Sequence, residues 1–599
     1  MTSATDTTTT PPALGRTAPI VKVNGQDIDL GNVLSVRVEQ GLCVPTRVTL
    51  RFRDIGHAVA KSSTYTLGTE VVVKVDDATI ATTWVTAVHA SRNFEDFAEF
   101  VVTADDYSYK LSRGILPTAY LAKTYSETIR AILGDAQLTP NVSASAFPSG
   151  PADYQMQATT GVAYINQLCR RYGAYWFVDP SDGKTLYVKA PAESVGSATK
   201  NVNDDMFDFS LRASGLRPTA VQISTWNPET KAAVTSTVSS PASRGTVPTF
   251  VSSYVGNVSD LGTAQSSFGG YNPKDASDAQ KIAGGLLDDG ADGSVIARGT
   301  CFADANIKPG AKLTLDNKSD MFAGDYFVSE AEHVYSAKGF FTKFVAGPHR
   351  TTHLVETLGR PDSEAGLYNN LLVVAQVTDN NDPNKKFGRV KVQFVALPGS
   401  PTPVSAWARV TTIGAGASRG FMWLPEVGDE VIVGFELGDV RRPVVLGSVW
   451  NGSDMPLSTT LVDGSVKSRQ LVSVAGHVID FGEDTTDTAN HLKFVVKDGP
   501  TLRLGKDETT LDTNSKPLTL TIGSTKITVD KDGNTTIDSA GTLSLKAKQD
   551  ITIEGQNVNI KGKQNAVLEG TSQATVKGAQ AEVNGSAKTA IKGGMVQVN

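Results

Sequence analysis

The chain has 599 residues, 40% of them hydrophobic and 20% charged, with a formal net charge of −6. That length exceeds what one core organises, so several domains are expected, and the charge balance excludes a globally basic, polyanion-binding surface. No apolar run is long enough to span a bilayer. The opening MTSATDTTTTPP lacks the basic and apolar regions of a secretory signal and reads as a disordered leader over 1–18. Cys43, Cys169 and Cys301 lie far apart without CxxC spacing, which argues against a disulfide framework or a zinc site and for a chain kept in a reducing cytoplasm.

From 19 to 365 the texture is α+β with β dominant. RVTLRFRD and EVVVKV alternate at strand period. TYSETIRAILGDAQL spaces Ile129, Ile132 and Leu133 on one helical face and stops at Gly134. TTGVAYINQLCRRYGAYWFVDP starts at a Thr cap, carries Val162, Ile165 and Leu168 at helical spacing, ends at Gly173 and runs into a strand. Between Thr235 and Gly270 the Ser, Thr, Val and Gly content predicts a long loop or strand insertion. A second unit, 366–452, holds five short strands with Gly, Asp and Pro turns, the size of a small closed barrel. A polar, strand-poor connector over 453–517 follows, and then a repeat over 518–599.

The repeat consists of Φ-x-Φ units from Ile527 to Val598, two inward side chains flanking one outward residue. In the later units a glycine follows at Gly555, Gly562, Gly570, Gly578, Gly585 and Gly593, in steps of 7, 8, 8, 7 and 8, supplying a sharp or left-handed turn. The inward residues Val529, Ile537, Leu545, Ile553, Ile560, Leu568, Val576, Val583 and Ile591 are too few per unit for one chain to bury. A self-contained β-helix uses about twenty residues per coil. Eight per corner closes most simply if three chains each supply one wall, giving a needle about 50 Å long at about 4.8 Å per layer. Outward residues Glu554, Lys561, Glu569 and Lys577 alternate in sign, so inter-chain ion pairs one layer apart favour this register over a one-octad slip. At about 0 to 1 kcal/mol each they select register more than they supply strength.

The segments GRVKVQF, AWARVTT, GFMWLPEVGDEVIVGFELGD and RRPVVLGSVWNG closely resemble the oligonucleotide-binding (OB-type) domain of VgrG spike proteins and of phage contractile-tail hub spikes. The element LCRRYGAYWFVD and the octads resemble the hub and needle of the same family, so the resemblance covers nearly the whole chain. It implies a mainly β fold with tandem hub barrels, an OB-type barrel and a C-terminal intertwined triple-stranded β-helix in a homotrimer. It also implies a central spike of a contractile injection system. That spike would adapt a threefold needle to a sixfold inner tube and sit among baseplate proteins. Its tip residues Met595, Val596, Val598 and Asn599 would carry a PAAR-like protein, with effector cargo as a further partner. Such a spike is assembled in the cytoplasm and pierces the target envelope on firing. A phage-tail-like, extracellular-type system is preferred here over a type VI spike or a phage tail spike. The 453–517 connector is too short for a tail-lysozyme domain, and no effector domain follows the needle.

Chemistry is sparse, and the expectation is a protein without catalysis, cofactor or metal. HRTTH places His349 and His353 four apart without the glutamate of HExxH. DNNDPNKKFG lacks the Gly and Glu of a calcium loop, and DKDGN at Asp530–Asn534 reads as a plain turn. Phe421, Trp423, Trp407 and Trp450 lie near Arg409, Arg441 and Arg442. Glu426, Asp429, Glu430, Glu436 and Asp439 oppose phosphate there, so the aromatics read as core and interface and no nucleic acid is expected. The rivals are a cell-wall hydrolase hidden in 235–270 or 453–517 and a trimeric adhesin.

Overall fold

The structure is a computed structural model. It describes residues 18–598 except 93–97, 192, 228–231, 243–245, 256–257, 269–270, 272, 317–320, 348–371, 384–387, 395–403, 457–460, 463 and 484–489. The leader, the 365/366 boundary, His349, His353 and Asn599 lie outside the described residues. The chain divides into two compact bodies, Met1–Asp454 and Met455–Asn599.

The first body is built on a thirteen-stranded sheet with two cores. One lobe runs from Val33–Gly41 through Arg47–Arg53, Ala98–Asp105, Ala78–Arg92 and Glu70–Val75 to Ile20–Val23. Its alternation is legible in RVTLRFR: Val48, Leu50 and Phe52 are buried while Arg47, Arg51 and Arg53 face out. The other lobe contains Gly324–Ser336, Gly339–Ala346, Val295–Phe302 and Met206–Ala213. The lobes join where Gly324–Ser336 pairs antiparallel with Val33–Gly41, Glu330 opposite Gly41 and Ser336 opposite Ser35.

Three helices and the small sheet Tyr175–Val178, Thr185–Lys189 and Thr139–Val142 form a further core around the fully buried Trp176. Tyr125–Asp135 begins at Thr124, whose hydroxyl accepts from the Glu127 amide while the Glu127 carboxylate accepts from the Thr124 amide at 2.8 Å. This capping box satisfies two otherwise orphaned donors. Thr124→Ala is expected to lower the urea-unfolding free energy of this body by about 1 kcal/mol. Gly161–Tyr172 starts at the Thr160 cap and stops at Gly173, whose φ of 68° is left-handed, as its sequence predicts. A third helix, Ala276–Gly293, went unread in the sequence because its glycines and aspartates look like a loop. The 235–270 segment is a strand insertion: Ala232–Val238 pairs with Ala220–Asn227, followed by the short helix Thr249–Val255 and the strand Gln265–Phe268.

The unit beginning at Val373 is a five-stranded barrel. The strands follow the order Lys391–Gln393, Val373–Asp379, Glu430–Phe435, Pro443–Ser448 and Arg409–Val410. The bridges Val390–Ala408 and Gln393–Val404 bring its two ends together. Val373, Ala375, Val377, Val392, Val431 and Val433 fill it, joined by Tyr154, Met156 and Ala158 from the preceding part of the first body. Tyr154, Met156 and Ala158 thus complete the barrel core, and the division between the two bodies falls after Asp454.

The second body corrects the connector reading. Residues expected to be strand-poor form a five-stranded antiparallel meander: Ser468–Val472, Val478–Gly482, His491–Val495, Thr501–Gly505 and Thr509–Asp512. The strands are four or five residues long and separated by polar turns, which dilutes their alternation in sequence. Two apolar rows cross one face, Leu471–Ile479–Phe494–Leu502–Leu511 and Phe481–Leu492–Leu504. A three-stranded meander, Leu518–Ile522, Thr525–Val529 and Thr535–Asp538, follows. Val529 and Ile537 thus sit in a ladder within the chain, Val529 opposite Thr535 and Ile537 opposite Ile527, and the unladdered repeat begins after them.

Candidate functional site: the octad tail and the hub–barrel junction

Beyond Asp538 the tail is extended chain broken by bends, and none of 541–598 belongs to a strand ladder. A bend follows each of Gly555, Gly562, Gly570, Gly578, Gly585 and Gly593 directly. None of these glycines has left-handed φ. At Gly562 and Gly570 the need for glycine is one of space. A Cβ on Gly562 would lie 2.2 Å from the Asn565 carbonyl oxygen, and one on Gly570 2.3 Å from that of Gln573. The turns are sharp, not left-handed.

Every inward side chain of the later units is uncovered. Leu545, Ile553, Val576, Val583 and Ile591 are exposed, with Ile560 at 78%, Leu568 at 76% and Met595 at 88%, and Val596 and Val598 are exposed as well. No ion pair within the chain joins Glu554, Lys561, Glu569 or Lys577 to another described residue. More generally, among the described residues from Met455 onward none is buried. A body this rich in aliphatic residues and without an interior cannot offset the entropy of ordering its chain.

At the other site, the turn Glu436–Gly438 carries Leu437 at φ 53°, an unusual conformation for a large side chain, and leads into Asp439-Val-Arg441. The Arg441 guanidinium donates to both Asp439 oxygens, at 2.9 Å from Nε to Oδ1 and 2.6 Å from Nη2 to Oδ2. It also donates to the Tyr125 hydroxyl at 3.1 Å and the Tyr271 carbonyl at 3.3 Å. Burial alone would raise the Asp439 pKa; the charge and hydrogen bonds of Arg441 override this and hold it at about 2. Arg442 donates to the Trp226 carbonyl at 3.2 Å, and Glu436 accepts from Arg409 at 2.8 Å. These residues edge a cleft of about 520 Å³ that also includes Trp226, Trp407 and Arg389. Arg389 is spoken for by a two-bonded pair with Asp382, at 3.0 and 2.9 Å, so the expected hairpin loop is held by an arginine where a calcium ion was the alternative.

The remaining candidates resolve structurally. Asp530 accepts from the Asp532 and Asn534 amides, both at 2.9 Å, making DKDGN a self-satisfied turn. Phe421 and Trp423 stack at 6.0 Å on the surface, and Trp450 is exposed too, which corrects the core half of their reading. Adjacent strands bring Ser468, Asp480 and His491 together, but the Ser468 hydroxyl donates to Asp480 and His491 Nε2 lies 3.3 Å from the same carboxylate. With the acid between them, the histidine is not the base of that serine. Among the described residues no group of three or more His, Cys, Asp or Glu side chains is placed to hold a metal. Sequence reasoning missed the Asp439–Arg441 pair as a junction, since its partners Tyr125 and Tyr271 are remote in the chain.

Comparison with known proteins falls on the barrel. Residues 373–450 match the family described as the type VI secretion system/phage-baseplate injector OB domain. The type VI secretion system spike protein VgrG1a of Pseudomonas aeruginosa is 36% identical over 105 residues, 16% of this chain and 16% of that protein. The spike protein VgrG3 of Vibrio cholerae is 40% identical over 70 residues, 11% of this chain and 7% of that one. The matched stretch thus spans a sixth or less of the length of these curated relatives. Among solved structures, the VgrG complex with PdpA from Francisella aligns over 82% of this chain and 87% of that one, at 9% identity and a TM-score of 0.50, a likeness of fold alone. The closed barrel, the baseplate-injector match within it and the spike proteins that share its sequence converge: residues 373–450 form an OB domain of the type VI secretion system/phage-baseplate injector kind, and over this stretch the chain is similar to VgrG spike proteins.

Proposed function

We propose that the protein is the structural central spike of a contractile injection system, working as a homotrimer whose tail is an intertwined triple-stranded needle. The observation that carries this reading is the missing interior of the second body: what covers Ile553, Ile560, Leu568 and their neighbours must come from other copies, and three eight-residue walls close a prism. Gly555, Gly562, Gly570, Gly578, Gly585 and Gly593 turn the corners, and Glu554, Lys561, Glu569 and Lys577 pair between chains. The hub adapts this threefold shaft to a sixfold inner tube within the baseplate. Met595, Val596, Val598 and Asn599 form the apolar platform for a PAAR-like tip protein. The work is mechanical, without catalysis or cofactor; the particle is assembled in the cytoplasm and the spike driven into the target envelope. The curated relatives are type VI spikes, so the preference for an extracellular-type system draws no support from them. Sedimentation of the purified protein is expected to give three copies of the 63.3-kDa chain, about 190 kDa, and a stable monomer would overturn the reading.

A further inference from the structure

We infer that the cleft edged by Trp226, Arg409, Glu436 and Arg442 is a binding site for a short neutral oligosaccharide. The inference stands apart from the proposed oligomer. At about 520 Å³ the cleft lies in the range of ligand sites, about 300–1,000 Å³. Two indoles line it. Trp226, on the strand Ala220–Asn227, is 52% exposed, and Trp407 of the barrel is half-buried. The Lys391 ammonium lies 4.9 Å from the centre of the Trp407 ring and steadies it.

Beside Trp226 runs a row of hydrogen-bonding groups. The Glu436 carboxylate sits between two guanidiniums, with Arg409 at 2.8 Å from one oxygen and Arg442 at 3.6 Å from the other. Arg442 also donates to the Trp226 carbonyl, so the row ends at the exposed indole. A guanidinium has five N–H donors and a carboxylate about four acceptor sites. Among the described residues, these contacts leave donors on both arginines and acceptor capacity on Glu436.

This pattern selects the ligand by exclusion. A phosphate or sulfate would seek the point between the two arginines, but Glu436 holds that point and repels a like charge. A cationic ligand would meet Arg389, Arg409, Arg441 and Arg442, which all line the cleft. A purely apolar ligand would strip water from the charged row without replacing its hydrogen bonds. A proline-rich peptide could stack on the indoles, yet proline has no N–H to offer Glu436. A sugar ring meets both walls at once. Its C–H face covers an indole, and neighbouring hydroxyls, each donor and acceptor, match the donor–acceptor–donor row. The row is already tied together before a ligand arrives, so little ordering remains to oppose binding.

The test titrates full-length protein with chitotetraose, cellotetraose and maltotetraose, following tryptophan fluorescence and heat, with a heparin tetrasaccharide and decaproline as controls. At least one neutral tetrasaccharide is expected to bind, with the same affinity at low and high salt, as for an uncharged ligand. Trp226→Ala is expected to weaken that binding at least tenfold, and Trp226→Phe, which keeps an aromatic face, to weaken it less. Trp226 is exposed, so neither change opens a core, and an unaltered urea-unfolding midpoint verifies this. Three results would overturn the inference: no binding of any neutral tetrasaccharide, binding of the heparin fragment or decaproline in their place, or unchanged affinity in Trp226→Ala. Molecular mass is not among these readouts, so a monomeric protein would sink the proposed function and leave the cleft to be judged by its own titration.

Discussion

Arg441→Met is expected to destabilise the first body by about 3–5 kcal/mol at pH 7, because it leaves the buried Asp439 carboxylate without its bonded counter-charge. Methionine replaces the aliphatic stem but none of the bonds to Asp439, Tyr125 and Tyr271. The pH dependence separates this cause from a packing defect. In the wild type the Asp439 pKa is depressed to about 2, so its contribution is present above the ordinary value of 3.8 and is lost as the pH falls towards 2. In the variant, burial is opposed only by the backbone amide at position 441 and the charge of Arg171, so the Asp439 pKa rises from its depressed value and the native state takes up a proton more readily than in the wild type. The gap between variant and wild type should therefore narrow as the pH falls from 7 to 4. Urea unfolding followed by tryptophan fluorescence at both pH values measures it; a loss under 1 kcal/mol, or a gap independent of pH, would contradict the assigned role.

A second large effect is expected at Gly285 in the helix Ala276–Gly293. A Cβ there would lie 2.4 Å from the Tyr172 carbonyl carbon and 2.5 Å from the Gly173 nitrogen, backbone atoms that cannot rotate aside. Gly173 is itself held at left-handed φ where its helix stops, so the two glycines let one helix end sit directly on the other helix. Gly285→Ala should cost about 3 kcal/mol or more, at the upper end for overpacking. Its neighbour Gly284 has open space at the Cβ position. Gly284→Ala should gain about 0.5–1 kcal/mol from helix propensity. Denaturation midpoints of the two variants should thus move in opposite directions, and equal shifts would refute the close-approach argument.

The sequence was most legible where a local signal and the fold agree. The helix Gly161–Tyr172 could be bounded from its Thr cap and its glycine stop, and the barrel from strand wording confined to about eighty residues. What stayed illegible depended on distance along the chain or on dilution. Nothing near Val33–Gly41 announces its pairing with Gly324–Ser336, and nothing in GDVRRP announces that Arg441 ends beside Tyr125 and Tyr271. The helix Ala276–Gly293 hid behind glycines, one of which is demanded by packing and so lowers local propensity for a tertiary reason. The octad glycines were found by their metre, but the close carbonyl approach at Gly562 and Gly570, in place of left-handed φ, depends on a fold-back that the metre does not specify.

The absence of any buried residue among those described after Met455 has a consequence for how the molecule comes into being. The first body carries four buried cores made of its own side chains. In the proposed trimer the other body would be governed by mass action: a newly made subunit would carry greasy, unfinished chain until enough sisters are present, and scarcity would leave it exposed to chaperones and proteases.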